Sequence, residues 1–185
     1  MYTVMVGEAK PPIWSIEEEP DVIGPWMDGQ PIDFPLPEIL EYILEDSDEE
    51  LGLRTLFSSE AVPLMHRELA KVLRQVGVRN LELFPAVLID PVRNRRYEDY
   101  QAFNLVGLVP AMDLEKTTLM PGSSLRAMDT DVDSLAIDEE KAGGRLLFRL
   151  AENVSAVMAH PRVKEAVEAA GFEDVRFYDP KHWAG

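Results

Sequence analysis

The sequence predicts an α+β fold in which two strand–helix–strand units pack on a largely antiparallel or mixed sheet, behind a proline-rich N-terminal arm. Three observations predict this class. Apolar residues recur with helical spacing twice, at residues 58–77 and 161–170, and an alternating segment typical of a strand follows each time. Those two following segments, GVRNLELFP and GFEDVRFYDP, begin alike, with a glycine, an apolar residue and two polar residues. Seven prolines between positions 10 and 37 indicate extended segments and turns rather than helix.

The length predicts one domain, and the composition allows a reducing compartment. The chain has 185 residues, and we expect a single domain with the arm at 1–37 and the main body at 38–185. The absence of cysteine excludes disulfides, thiolate catalysis and zinc sites built on cysteine. The N-terminal segment lacks the pattern of a signal peptide, and no apolar run reaches the roughly 20 residues that span a bilayer. We therefore expect a cytoplasmic protein.

Short elements are predicted before the first long helix. Residues 2–6 alternate as a strand does, and LRTLF at 53–57 has the composition of a second strand. Residues 38–44 follow Pro37, which suits the first turn of a helix, so a short helix is expected there.

The stretch SSEAVPLMHRELAKVLRQVGVRN is predicted to be a helix rather than a catalytic segment. Ser59 is the expected N-cap, Pro63 falls in the first turns, and Gly77 is the expected end. One apolar stripe is formed by Val62, Met65, Leu69, Val72, Leu73 and Val76. No G-x-S-x-G pattern occurs, so Ser58, Ser59 and His66 are interpreted as structural.

A β-hairpin is predicted after the helix. Residues 81–90 and 102–109 are the expected strands, with VRNRRYED at the tip. The tip contains the concentrated basic cluster of Arg93, Arg95 and Arg96. Three arginines on an exposed turn are usually solvated, so we interpret them as surface residues rather than as an anion site.

The charge distribution restricts the class of partner. The net charge is −16, and the first 60 residues hold 15 acids against 2 bases, with a peak at EDSDEE, residues 45–50. This field repels nucleic acid and anionic lipid and attracts basic partners. Direct binding to nucleic acid or membrane is therefore not expected.

One segment resembles a calcium-binding loop, and this alternative is weighed against an acidic surface loop. DTDVDSLAIDEE has acids at loop positions 1, 3, 5 and 12, namely Asp129, Asp131, Asp133 and Glu140. However, Ser134 stands where the sharp turn needs glycine, and Ile137 has no ligating side chain. The histidines lack metal-binding spacing, and no catalytic pattern is present, so the sequence predicts neither a metal site nor an enzyme.

The order of these segments resembles a known family. The resemblance extends over residues 35–183 and rests on PLPEIL, LFSSEAVPLMHRELAKVLRQVG, NLELFPAVLID, YQAFNLVGLVPAMDLEKT and LLFRLAENVSAVMAHPRVKEAVEAAGFEDVRFYDP. The chain is similar to the immunity proteins of bacterial polymorphic toxin systems, in the family named after a myxobacterial protein. The motif positions are Ser59, Glu60, Gly77, Asn80, Phe84, Pro85, Asn104, Phe148, Arg149, Leu150 and Gly171.

The resemblance implies a cytoplasmic immunity protein that binds and neutralises a cognate toxin by protein–protein interaction, without catalysis, cofactor or metal. The alternative is a non-catalytic adaptor or assembly module of a secretion or phage-like system. Because many toxin domains that attack nucleic acid are basic, an acidic antidote would be steered onto such a target.

The acidic runs and two tryptophans are the predicted partner-binding residues. The first patch is Asp46, Asp48, Glu49 and Glu50, and the second is Asp129, Asp131 and Asp133. Aromatic anchors commonly occupy the centre of an interface, so Trp14 and Trp26 of the arm are added. Ordinary packing is the alternative for both tryptophans.

Overall fold

The computed structural model describes residues 1–8, 13–46, 52–58 and 60–183. Within them the strands are β1 (Thr3–Gly7), β2 (Ile16–Glu18), β3 (Leu40–Leu44), β4 (Leu56–Phe57), β5 (Leu64–His66), β6 (Leu81–Asp90), β7 (Arg95–Leu105), β8 (Leu108–Val109), β9 (Thr118–Leu119), β10 (Val132–Ser134), β11 (Leu147–Leu150), β12 (Val157–Ala159) and β13 (Val175–Tyr178). The helices are α1 (Arg67–Val76), α2 (Glu139–Ala142) and α3 (Pro161–Ala169), and a 3-10 turn spans Pro180–His182. No helix in these residues is both long enough and apolar enough to cross a membrane.

Most strands belong to two mixed sheets, which confirms the predicted α+β class. The five-stranded sheet has the order β13-β1-β12-β11-β8, and the six-stranded sheet has the order β2-β3-β6-β7-β5-β4. The β8–β11 and β3–β6 pairs are parallel, and the other pairs in these sheets are antiparallel. Strands β9 and β10 form a separate antiparallel pair.

Each sheet contains one helical crossover around a central strand. Helix α1 leads from β5 to β6, and both strands are antiparallel to β7, which lies between them. Helix α3 leads from β12 to β13, and both are antiparallel to β1 between them. The two helices contact each other, and Leu69 and Leu73 of α1 share one core with Val163 and Val167 of α3. The helices therefore join the two sheets.

The opposite face of each sheet is covered by a different part of the chain. Leu40, Tyr42 and Leu88 of the six-stranded sheet form a core with Trp14 and Trp26 of the arm. On the five-stranded sheet, Val4, Phe148 and Met158 form a core with Val132 and Leu135. The segment at 109–142, called the insert below, supplies this second cover.

The expectation of a helix at 38–44 is wrong, because this segment forms β3. Leu40, Tyr42 and Leu44 are buried, whereas Glu41 is exposed, so the burial has the period of two that a strand produces. Leu40 to Ile43 pair in parallel with β6. Pairing with a long neighbour decided a choice that the short local pattern left ambiguous.

The predicted start of the first long helix is also wrong. Leu64 and Met65 belong to β5 and pair with β7, and α1 begins only at Arg67. The expected cap, Ser59, lies outside the described residues. His66 is the N-cap, and its Nδ1 accepts a hydrogen bond from the Glu68 backbone N–H at 3.2 Å.

The end of α1 and the course of α3 agree with the sequence. Gly77 ends α1 with a φ of 112°, a conformation that favours glycine. Helix α3 spans Pro161–Ala169, and His160 caps it through a hydrogen bond from the Arg162 N–H to its Nδ1. Gly171 follows with a φ of 81°.

The hairpin is confirmed, but its second strand is displaced. Strand β6 has the predicted bounds, whereas β7 begins at Arg95, so the turn occupies 91–94 and includes Asn94 at a φ of 50°. Val109 leaves this sheet, because β8 pairs with β11 of the other sheet. The expected strand at 53–57 is reduced to Leu56–Phe57.

Candidate functional site

The first predicted acidic patch is described only in part. Asp46 is exposed and lies two residues after the end of β3. Asp48, Glu49 and Glu50 lie outside the described residues. Asp46 is therefore the member of this patch whose position in the fold is described.

The arm and β3 form an acidic surface to which they contribute no base of their own. Residues 13–46 contain ten acids and no lysine, arginine or histidine. Glu17, Glu18 and Asp21 are exposed, as are Glu38 and Asp46. Uncompensated charge on one surface raises the local concentration of a basic partner and its rate of association.

A groove runs through this acidic surface. It has a volume of about 500 Å³ and lies between residues 18–22 of the arm and residues 37–43 around β3. Its lining includes the apolar side chains of Val22, Ile39 and Ile43 together with Glu18 and Asp21. Ile39 is 47% exposed. This arrangement provides apolar contact area with acidic side chains beside it, which suits a basic polypeptide better than a small neutral ligand.

Two other acids of this region are engaged within the chain. The Glu19 carboxylate accepts hydrogen bonds from the backbone N–H groups of Ala61 at 3.2 Å and Val62 at 2.8 Å. Glu41 forms an ion pair with Arg96, with 2.9 Å between Oε1 and Nη2. Glu19 thus holds the arm against the body, so Glu18 and Asp21 are the acids that face the groove without such a role among the described residues.

The second predicted acidic patch lies on the insert and is partly neutralised. Asp129 is exposed and lies 3.7 Å from the Arg126 guanidinium, measured from Oδ2 to Nη1. Asp131 accepts a 3.3 Å hydrogen bond from the Ser123 hydroxyl. Asp133 is exposed on β10. The three aspartates are therefore exposed on and beside a short strand.

The same segment does not have the form of a calcium-binding loop. Asp133 lies within strand β10, whose residues Val132 and Ser134 pair with Leu119 and Thr118 of β9, so the segment is extended where a calcium-binding loop would turn. Across the described ranges of the chain, no three His, Asp or Glu side chains converge in a way that could hold a metal ion.

Trp14 and Trp26 lie in the core beneath the arm rather than on its surface. They are 1% and 2% exposed. Trp26 packs edge-on against Phe84, with 5.4 Å between the ring centroids. The Arg93 guanidinium lies 5.5 Å from the Trp14 ring centroid. Both side chains therefore attach the arm to the six-stranded sheet, and neither is available to a partner while the arm is packed.

The basic cluster at the hairpin is held by acids of the same chain. Asp90 is fully buried, and its carboxylate lies 3.3 Å from the Arg93 Nη1. Burial alone would raise the pKa of Asp90, but hydrogen bonds from the Arg93 backbone and guanidinium outweigh it and lower that pKa. Arg96 is paired with Glu41. The cluster therefore stabilises the hairpin and its neighbours instead of forming an anion site.

Several motif residues of the family resemblance connect parts of the fold. Asn80 donates from Nδ2 to the backbone oxygens of Val106 and Leu147, both at 3.2 Å, and Leu147 belongs to the other sheet. Asn104 donates from Nδ2 at 2.8 Å to the Gln30 backbone oxygen in the arm and to the Glu82 carboxylate. Asn80 therefore links the two sheets, and Asn104 links the six-stranded sheet to the arm.

Arg149 is a buried cation with few partners. It is 0% exposed, and its Nη1 donates to the Val154 backbone oxygen at 2.8 Å, while Nε and Nη2 have no hydrogen-bond partner. Burial lowers the pKa of Arg149 to about 10. Arg149 lines neither the groove between the arm and β3 nor the cavities beside β8, beside the end of α1 and beside the 3-10 turn.

The groove beside β8 has the right size for a small ligand but its cations are already held. It measures about 520 Å³, and Lys141, Arg145 and Glu152 contribute to its lining. Burial raises the pKa of the Glu152 carboxyl. Lys141 pairs with Asp138 at 3.3 Å, and the Arg145 Nη1 donates to the Ala142 backbone oxygen at 3.0 Å. No serine or histidine lines this groove, so the described residues provide no nucleophile–base pair there.

The fold is that of a mixed α+β domain, one surface of which carries the acids of the arm and β3. A family comparison gives the finer class: the model of the immunity protein family Imm11 matches residues 26–182, and the chain belongs to this family. Among curated proteins, no sequence matches the chain significantly.

Sequence reasoning located the acidity but missed the groove. Glu18, Asp21 and Ile39 were not among the predicted partner-binding residues. One signal in the sequence could have indicated the acids: the base-free run at 13–46.

Proposed function

We propose that this protein is a cytoplasmic immunity protein that binds a cognate toxin and neutralises it by protein–protein contact, without catalysis. The observation that carries this proposal is the match to the immunity protein family over residues 26–182. The partner is a basic toxin domain, because ten acids without a single base lie at 13–46. Neither nucleic acid nor membrane is a direct partner of such a surface.

The proposed contact surface begins at Asp46, two residues after the end of β3. It comprises Asp46 together with Asp48, Glu49 and Glu50, which follow it in sequence. Asp129, Asp131 and Asp133 form a second contact region on the insert. The first region is the stronger candidate, because its acids directly follow the base-free run at 13–46 in sequence, whereas Arg126 lies beside Asp129 of the second.

The test is co-expression with the toxin candidate encoded beside this gene. We expect that candidate to arrest growth when expressed alone, and this protein to restore growth and to co-purify with it at a 1:1 ratio. Rescue that also occurs with an empty vector, or growth arrest that persists although both proteins are expressed, would contradict the proposal. Binding without rescue would instead indicate a non-catalytic adaptor.

A charge-matched pair of variants tests the proposed surface. Replacement of Asp46, Asp48, Glu49 and Glu50 by lysine should weaken toxin binding at low salt and reduce its dependence on salt concentration. The control replaces four exposed acids elsewhere, Glu140, Glu165, Glu168 and Glu173, by lysine. Equal losses in both variants would indicate an effect of net charge alone, and would remove the first patch from the proposal.

A further inference from the structure

The geometry of the groove points to a specific mode of binding, which rests on the proposed function. We propose that an extended basic segment of the toxin lies in the groove between the arm and β3 and adds to the open edge of β3 as a strand. Ile39 and Val22 contact an apolar side chain of that segment, and Glu18 and Asp21 pair with its lysines or arginines. The toxin segment is thus extended and basic, and it binds between the arm and β3.

One edge of β3 is open over part of its length. Strand β2 covers only the end of β3, because the register joins Ile16 with Leu44 and Glu18 with Ile43. Among the described residues, no strand pairs with residues 40–42 on that side. An uncovered strand edge presents backbone donors and acceptors to another chain.

The direction of the backbone groups supports strand addition. The Glu45 backbone N–H donates to the Ser15 backbone oxygen at 3.1 Å, so it faces the β2 side. Backbone groups of alternate residues face the same side of a strand, which directs those of Ile43 and Glu41 toward β2 and the groove. Glu41 lies beyond the last residue that β2 covers, and its backbone N–H and carbonyl are therefore placed to pair with an added strand.

The arm leaves the edge because of its sequence. Pro20 has no backbone N–H, and its carbonyl accepts a 2.8 Å hydrogen bond from the Val22 N–H. The chain therefore turns away after Glu18 instead of continuing the ladder along β3. The departure creates the groove of about 500 Å³ between arm and strand.

The side chains around the edge select a basic and partly apolar occupant. A strand in the groove directs alternate side chains to opposite faces, so an apolar residue at Ile39 and Val22 is flanked by residues close to the acids. Glu18 and Asp21 form no ion pair among the described residues, whereas Glu19 and Glu41 are already bound within the chain. A second copy of this protein would bring a like charge of −16 to the same surface, which disfavours self-association there.

A defined peptide tests the edge without the toxin. The ¹⁵N-labelled full chain is titrated with acetyl-KVKVKVK-amide, which alternates basic and apolar residues, and with acetyl-EVEVEVE-amide as the acidic control. We expect amide shifts concentrated at residues 39–43 with the basic peptide alone. No shift at millimolar basic peptide, or shifts mainly outside 18–22 and 37–43, would overturn the strand-addition surface.

A matched pair of double variants measures the acids of the groove. Glu18→Lys/Asp21→Lys should weaken binding of the basic peptide by about tenfold or more. Asp28→Lys/Asp33→Lys changes the same charge on exposed arm residues that do not line the groove, and should weaken it less than about threefold. Equal weakening by both variants would overturn the assignment. Thermal melting of each variant checks that it is folded.

The toxin assay separates failure of the surface from failure of the function. If the co-expressed toxin is neutralised by the wild type and equally by Glu18→Lys/Asp21→Lys, with unchanged affinity, the groove proposal is overturned and the immunity function stands. If the basic peptide binds at residues 39–43 but the wild type gives no protection from the adjacent toxin, the proposed function fails and the peptide-binding edge stands.

Discussion

The two sheets of this protein are covered in ways that differ in charge. The cover of the six-stranded sheet is the arm and its continuation to residue 46, where no base occurs after residue 12. The insert covers the five-stranded sheet, and three of its acids have a base beside them: Asp113 with Lys116, Asp138 with Lys141 and Asp129 with Arg126. Both covers bury an apolar core, but the arm supplies no base to its acidic surface, whereas the insert supplies three.

Two covers that bury similar apolar cores can therefore differ in the charge of their exposed surfaces. Trp14 and Trp26 under the arm correspond in function to Val132 and Leu135 under the insert, since each set seals the outer face of a sheet. The charges above them are free to vary because they are solvated. The arm side is therefore the better candidate for the partner-binding surface, because the arm supplies no base to balance its own acids.

The largest expected effect is loss of the arm's anchor. Trp26→Ala should reduce the free energy of unfolding by about 3–5 kcal/mol, because a fully buried aromatic side chain and its contact with Phe84 are lost. Phe148→Ala is the matched change under the insert and should cost a similar amount. Urea unfolding measures both, with Ile23→Ala, at a residue 94% exposed, as control. A loss below about 1 kcal/mol for Trp26→Ala would show that the arm is not essential to the core.

The next largest expected effect is a loss of stability when the ion pair between Asp90 and Arg93 at the hairpin is broken. Asp90→Asn should reduce stability at neutral pH by about 2 kcal/mol, because charged hydrogen bonds to Arg93 are weakened. The pKa of Asp90 is lowered in the folded protein, so its contribution is present above the unfolded pKa of about 3.9 and is lost as the pH falls through the lower folded value.

Urea unfolding of the wild type and Asp90→Asn from pH 7 to pH 3 measures that dependence. The difference between the two proteins should be constant at neutral pH and should shrink in the acid range. A constant difference down to pH 3 would contradict the assigned role of the carboxylate.

The N-caps of α1 and α3 provide a matched comparison, because both are histidines. His66→Ala and His160→Ala each remove the acceptor of a helix N-cap, at 3.2 Å from the backbone N–H in both cases, and should reduce stability by about 1 kcal/mol. Chemical denaturation of both variants and the double variant measures this. A strongly unequal pair would indicate that His66 or His160 acts through its aromatic contact, with Tyr100 or Tyr2 respectively, rather than through the cap.

The smallest expected effects are shifts in melting temperature when one charge is removed from each cover, and the two shifts should have opposite signs. Lys116→Ala removes the base that lies 2.6 Å from Asp113, and should lower the melting temperature slightly at low salt. Asp21→Asn removes one charge from the base-free arm, and should raise it slightly because like-charge repulsion decreases. Both shifts should disappear in high salt. Shifts of the same sign would contradict the proposed difference between the covers.

Local patterns were sufficient wherever an element was long or ended in a special conformation. The hairpin strand at 81–90 and the helix at 161–169 were predicted with nearly their observed bounds, and Gly77 was recognised as a helix end. Short segments were less predictable. LEYIL and PLMH contain too few residues to separate the two periods, and their strand state depends on β6 and β7, which lie far away in sequence.

The candidate site was predictable in charge but not in shape. The excess of acids in the first 60 residues is visible by counting, and it identified the half of the molecule in which Asp46 lies. The burial of Trp14 and Trp26 and the opening between Pro20 and Ile39 depend on how the arm lies on the sheet.

Composition and local order are sufficient to predict the α+β class, the acidic character of the arm and the motifs of the immunity protein family. The packing of the arm on the sheet determines which acids are engaged, as Glu19 and Glu41 are, and which face the groove, as Glu18 and Asp21 do. The tertiary structure also decides that β3 is a strand with an open edge. The physical reason is that pairing and burial are set by contacts between residues distant in the chain, to which no local pattern responds.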